Sequence, residues 1–166
     1  MANITGLVPG RLTGTTWATG VSSGELSGLA YGSTVMSATA VVNDVGTAYD
    51  QLVKISLICT ISSSALVAGA CVIVWIAELL DDGSTYGDGR LLSASQAAVT
   101  PSWDPIAVMP AASGNSTLYL GRGGILLPQA NFKFVVQNQL QLSSGGASIT
   151  GGALKYVTGN INTSAS

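Results

Sequence analysis

The sequence predicts an all-β fold, a β-sandwich of jelly-roll type preceded by an extended Gly/Ser/Thr-rich N-terminal arm. Three observations carry this expectation. Residues 53–61 alternate between apolar and polar side chains, residues 70–77 (ACVIVWIA) form a β-branched apolar run, and Gly, Pro, Asn and Ser cut the second half into short apolar stretches. Alternation marks a strand with one wet face, and a β-branched apolar run marks a strand covered on both faces. Short strands separated by such turns indicate a sandwich, jelly roll or barrel.

The expected division is an arm at 1–43 and a β-domain at 44–166. Glycines at 6, 10, 14, 20, 24, 28 and 32 fall mostly four apart, among Ser, Thr and Ala. Collagen needs glycine at every third residue, and each interior glycine costs a helix about 1 kcal/mol against alanine. An extended segment remains. Ordering it costs about 1 kcal/mol or more per residue, so contacts with a neighbouring subunit are the expected compensation.

Between Lys54 and Glu78 lie 23 residues without a charge, long enough for a transmembrane helix. Within them, however, Val53, Ile55, Leu57, Cys59 and Ile61 alternate with Lys54, Ser56, Ile58 and Thr60, with Ile58 the one exception. Ser62, Ser63, Ser64 and Gly69 then interrupt the middle, where a span would be most apolar. The run therefore reads as two strands joined near 62–69. Phe132, Phe134 and Val136 share one face of a further strand against Lys133 and Gln137, and Leu154 and Tyr156 alternate with Lys155 and Val157. Shorter candidates are Thr117–Leu120, Ile125–Leu127, Leu140–Leu142 and Ala147–Ile149, with turns expected at GRGG (121–124), SSGG (143–146) and GG (151–152). SQAAV, at 95–99, is the expected site of a single helical turn.

Only 8% of the 166 residues are charged, against roughly 25% in ordinary soluble domains. A surface so poor in charge favours self-association, so coverage by further copies or by partners is expected. The net charge is −2, and the basic residues Arg11, Lys54, Arg90, Arg122, Lys133 and Lys155 are scattered. Nucleic-acid binding needs clustered cations, so no nucleic acid is expected, nor a membrane. MANITGLVPG lacks the basic and apolar regions of a secretory signal, and synthesis in a reducing cytoplasm is the expectation. Cys59 and Cys71 are then read as buried thiols, with a disulfide as the alternative.

Histidine is absent, which removes Ser-His-Asp and Cys-His nucleophile systems and every His-containing zinc site. Asp81, Asp82 and Asp88 supply three carboxylates within eight residues, a set that suits Ca²⁺ by charge. Their spacing is not that of an EF-hand loop, and no glutamate closes it. Asp81–Tyr86 resembles the Asp-box of sialidase-like propellers, with Tyr86 in place of tryptophan, and a single copy is read as a structural turn. Trp75 is assigned to the core. Trp17 and Trp103, in polar Gly- or Pro-rich surroundings, are candidates for a subunit contact or for stacking on a sugar. No catalytic residue, cofactor or metal is expected.

The runs LVKISLICTI and ACVIVWIAELLDDGSTYGDG, followed by GILLPQANFKFVVQN, resemble those of small β-rich virion proteins of tailed bacteriophages. The likeness covers about residues 44–157 and leaves the arm outside it. It implies a non-enzymatic capsid cement or decoration protein residing in the virion. Its partners would be copies of itself, in a homo-oligomer such as a trimer, and a major capsid protein. A tail or neck component is equally compatible with the motifs. A glycan-binding adhesin using Trp17, Trp103 or the Asp81–Asp88 loop is the alternative from another class, and a carboxylate-based hydrolase comes last.

Overall fold

A strand that alternates buried and wet residues needs a partner layer on one side only, and the chain supplies that layer twice. The computed structural model describes residues 16–43, 50–89 and 98–159. In chain order these form β1 (Ala18–Val21), α1 (Ser23–Leu26), β2 (Thr34–Met36), β3 (Leu52–Ile61), β4 (Cys71–Glu78), β5 (Ala107–Pro110), β6 (Thr117–Leu126), β7 (Phe132–Gln139) and β8 (Ile149–Gly159). Two four-stranded antiparallel sheets result, β1-β8-β3-β6 and β2-β7-β4-β5. Pairing is nested: first strand with last, second with seventh, third with sixth, and β4 with β5 at the centre.

The uncharged run is thus two strands in opposite sheets, joined at 62–70. Among the described residues no helix is long and apolar enough to cross a membrane. Val53, Ile55, Leu57 and Cys59 of the first sheet meet Val72, Val74, Ile76, Phe132, Phe134 and Val136 of the second in one sandwich-like core. Phe132 and Phe134 sit edge to face at 5.4 Å between ring centres, and Phe134 reaches Tyr156 across the sheets at 5.2 Å. Fully burying one such side chain is worth about 1.5–3 kcal/mol, so the core is the main source of stability. Asn138, buried at the end of β7, donates to the Leu29 and Ala147 carbonyls (2.8 and 2.7 Å) and accepts from the Leu140 amide (2.9 Å). Every polar atom of its side chain is satisfied within the protein, as burial demands.

The boundary expected at residue 43 is corrected by this arrangement. Residues 18–36 belong to the sheets: β1 pairs with β8, and β2 with β7. Val21, Leu26, Leu29, Val35 and Met36 are buried. Gly28 and Gly32, at φ +79° and +77°, make the turns between these short elements, so glycine here serves sharp reversals and not a loose tether. The rest of the expected arm, residues 1–15, lies outside the described residues. So does most of the helical turn expected at 95–99.

The helical turn that is present, α1, begins with a capping box that the sequence spells as Ser22-x-x-Glu25. Glu25 accepts from the Ser22 amide at 2.6 Å and from the Ala38 amide at 2.5 Å, tying α1 to the chain beyond β2. Burial pushes the Glu25 carboxyl up, but the bonds from Ser22 and Ala38 and the charge of Lys133 outweigh it, so it titrates below the ordinary glutamate range.

Two turns expected from glycine pairs are also corrected. GRGG lies inside β6 and Gly151-Gly152 inside β8. The β3–β6 register shifts between Val53/Ile125 and Ile55/Arg122, leaving Gly123 and Gly124 opposite Lys54, with Gly124 at φ +71°. This is a bulge whose left-handed residue is glycine. Gly152, at φ +125°, lies so close to β3 that an added Cβ would stand 2.2 Å from the Ile58 carbonyl oxygen. Strand β5 shows no strand pattern in the sequence, because it is four residues long and ends in Pro110. Proline is tolerated there because β5 is an edge strand.

Replacing Gly152 with alanine is expected to destabilise the fold by more than about 1 kcal/mol, because both φ and the neighbouring backbone oppose a side chain. Gly145→Ala shares a positive φ without the close approach and separates the two effects. Chemical denaturation of both variants checks the difference.

Glu25→Ala is expected to cost about 1–2 kcal/mol near neutral pH, through a lost cap and two lost charged hydrogen bonds. A carboxyl with a depressed folded-state pKa stabilises above its unfolded pKa and ceases to do so as pH falls through its folded pKa. The gap between wild type and variant should therefore be full at neutral pH and close in acid, below the ordinary glutamate range. Thermal melts across that range measure it.

Candidate functional site

The connection from β4 to β5, residues 79–106, lies at the tip of the nested pairing and carries most of the distinctive side chains. Its first part is a tight reversal. Asp82 accepts from the amides of Ser84 (2.9 Å) and Thr85 (2.7 Å) through one carboxylate oxygen, and from the Thr85 hydroxyl through the other. The Leu80 amide donates to the Thr85 carbonyl (2.8 Å), and Leu79 bridges Tyr86. These bonds, the Thr85 hydroxyl foremost, hold the Asp82 carboxyl down at about 2. The Asp-box-like hexapeptide is therefore a self-satisfied turn, with Gly83 at φ +71°.

Asp88 accepts from the Ser102 hydroxyl at 3.0 Å and does not join Asp82. Among the described residues no group of three acidic or thiol side chains is placed to hold a metal ion. The sequence brings Asp81, Asp82 and Asp88 within eight residues, but the turn directs Asp82 into its own backbone.

The second part of the connection folds back over the outer face of the second sheet. Met36, Trp75, Ala77 and Val135 form a second small core there, packed beneath Tyr86, Val99 and Trp103. Two tryptophans lock it: the Trp75 indole donates to the Trp103 carbonyl (3.0 Å), and the Trp103 indole donates to the Ile76 carbonyl (2.7 Å). Gly87 passes the Trp103 ring so closely that an added Cβ would fall 2.4 Å from it. Gln137, read as outward-facing, is buried here and donates to Thr100 at 2.9 Å. Trp75 is buried as expected, in this second cluster and not in the core between the sheets.

Trp103 also lines an open cleft of about 340 Å³ with Glu78, Leu80, Asp88 and Ser102. One face of the cleft is aromatic and its rim is acidic. Trp17 stands apart from it, 39% exposed, with the Lys54 ammonium 5.7 Å from its ring centre. The three tryptophans therefore do not form one sugar-stacking platform.

The outer face of the first sheet has no such cover among the described residues. Tyr119, Ile58 and Ala153 stand in register across β6, β3 and β8, and the first two are 75% and 46% exposed. Leu126, also on β6, is 70% exposed. Ile58 is the one exception in the 53–61 alternation, and that exception was the signal of this surface. Tyr119 and Leu126 carried no such signal, because the expected turn at GRGG hid the continuity of β6.

Both cysteines are free thiols. Cys59, on β3, is buried and its thiol is pushed up to about 11 by that burial, while half-buried Cys71, on β4, is raised for the same reason. Thiols so placed are mostly protonated at neutral pH and weakly nucleophilic. Comparison with protein-family models, curated proteins and solved structures finds no match to this chain.

Chelation by EDTA is expected to leave the melting temperature unchanged, because Asp82 is satisfied by amides and a hydroxyl. A fall on chelation that Ca²⁺ alone reverses would contradict this. Carboxyl titration by NMR should find Asp82 still ionised at pH 3, given its value of about 2.

Proposed function

We propose that this chain is a non-enzymatic virion structural protein, a cement or decoration subunit that stabilises a bacteriophage shell through surface contacts. The outer face of the first sheet, uncovered among the described residues, is the observation that carries this reading. An exposed row of Tyr119 and Ile58, with Leu126 beyond it, is unusual on a free surface and suits a contact surface. The low charge of the chain agrees with a surface that is covered in use.

The strand order supports the finer fold reading as well. Two sheets of order β1-β8-β3-β6 and β2-β7-β4-β5, nested from the chain ends inward, agree with an eight-stranded jelly-roll reading. That architecture recurs in viral capsid subunits and in lectins. Fold alone does not assign function, and the exposed surface carries the reading. In this reading the expected tether is confined to the residues preceding β1, and placement in a tail or neck would use the same face.

A glycan-binding adhesin is the second reading, and the Trp103 cleft favours it. An indole beside Glu78 and Asp88 offers an apolar surface and hydroxyl acceptors together. One experiment separates the two. Purified chain is mixed with phage shells stripped of accessory proteins, and in parallel applied to a glycan array. Cement should co-sediment with the shells and raise their resistance to heat, and Tyr119→Ser should weaken both effects. A chain left in the supernatant that binds sugars through Trp103 would overturn the proposal.

A further inference from the structure

The charges of this chain are few but unevenly placed. Strands β1, β3, β6 and β8 contain Lys54, Arg122 and Lys155 and no aspartate or glutamate. On the outer face of that sheet, Lys155 stands beside Ser56 in the row next to Tyr119, Ile58 and Ala153, and Lys54 stands beside Val157 one row further on, toward Leu52 and Leu126. The surface thus places two ammonium groups between the Tyr119–Ile58 row and the exposed Leu126.

The complementary chemistry lies on the connection that leaves the second sheet after β4. Five of the eight carboxylates, Glu78, Asp81, Asp82, Asp88 and Asp104, fall between the end of β4 and the start of β5. At the tip of this segment Leu80 is 45% exposed next to Asp81, itself exposed. An apolar side chain among acids matches an apolar row among lysines.

We propose that copies of this chain associate head to tail, the acidic 78–82 tip of one copy seating on the outer face of the first sheet of the next. The proposal rests on the reading of that face as a contact surface. A twofold face-to-face pairing would set the lysine-bearing face against itself, and like charges brought together at an interface are costly. A heterologous contact places each lysine near a carboxylate. It also leaves each copy with one free face and one free tip, so association continues into rings or filaments.

Two charge reversals test this on the full chain. Lys155→Glu alters only the face, and Asp81→Lys only the tip; both side chains are exposed, and circular dichroism verifies that each variant folds. Sedimentation equilibrium of wild type should show self-association that weakens with added salt. Each variant alone should associate about tenfold or more weakly than wild type, a difference of about 1.4 kcal/mol. Mixed in equal amounts, they should regain association, because Lys155→Glu keeps an intact tip, Asp81→Lys keeps an intact face, and the two altered surfaces carry opposite charges.

A wild-type chain that stays monomeric at every concentration would overturn the proposal. So would an Asp81→Lys variant that associates like wild type, which would point to face-to-face pairing if Lys155→Glu alone fails. Co-sedimentation with stripped shells is measured on the same variants. Shell binding by a monomeric chain would leave the cement reading standing without the head-to-tail contact, and head-to-tail association without shell binding would do the reverse.

Discussion

Burial of both inner sheet faces in one core is the constraint on which the rest depends. Each strand has period-two side chains, so a one-residue slip would turn its core residues outward. The β3 sequence fixes that register with Val53, Ile55, Leu57 and Cys59 on one side. The bulge at Gly123-Gly124 and the close approach at Gly152 then let β6 and β8 follow β3 without losing register. The buried Asn138 ties the end of β7 to the segments preceding β2 and β8.

Two packed sheets have two outer faces, and this chain treats them differently. Over the second sheet it lays its own β4–β5 connection, pinned by the reciprocal Trp75 and Trp103 hydrogen bonds. Each indole N–H finds a carbonyl, so neither the buried Trp75 nor the half-buried Trp103 leaves its donor unsatisfied. Over the first sheet no described segment performs that role. Tyr119, Ile58 and Leu126 stay exposed beside Lys54 and Lys155. The asymmetry separates charge as well, with acids gathered at the tip of the covering connection and cations on the bare face.

The chemistry of the polar groups is mostly spent on structure. Asp82 shapes a turn, Glu25 caps α1 and binds Ala38, and Asn43 holds Asp50 and Pro128 through its amide. Groups so fully engaged with backbone are poorly suited to moving protons or binding ions. The surface also carries an apolar row, a few separated charges and a cleft beside Trp103.

The sequence by itself determined that the chain is all-β, that 55–77 is two strands and that Cys59 faces the core, because periodicity and burial preference are local properties. It also contained the cap at Ser22 and Glu25, and in Ile58 a pointer to the bare face. Only the tertiary structure decided that residues 18–36 supply edge strands. A four-residue strand such as β1 has too few positions to display a period, and its identity comes from pairing with β8, more than a hundred residues away. Glycine reads as a breaker locally, yet Gly123, Gly124 and Gly152 sit within strands because a neighbouring strand requires a bulge or a close approach there. Which outer face is covered was equally beyond local reading. It depends on where 79–106 folds back, and Trp103 reveals that only when placed against Trp75 and Gly87.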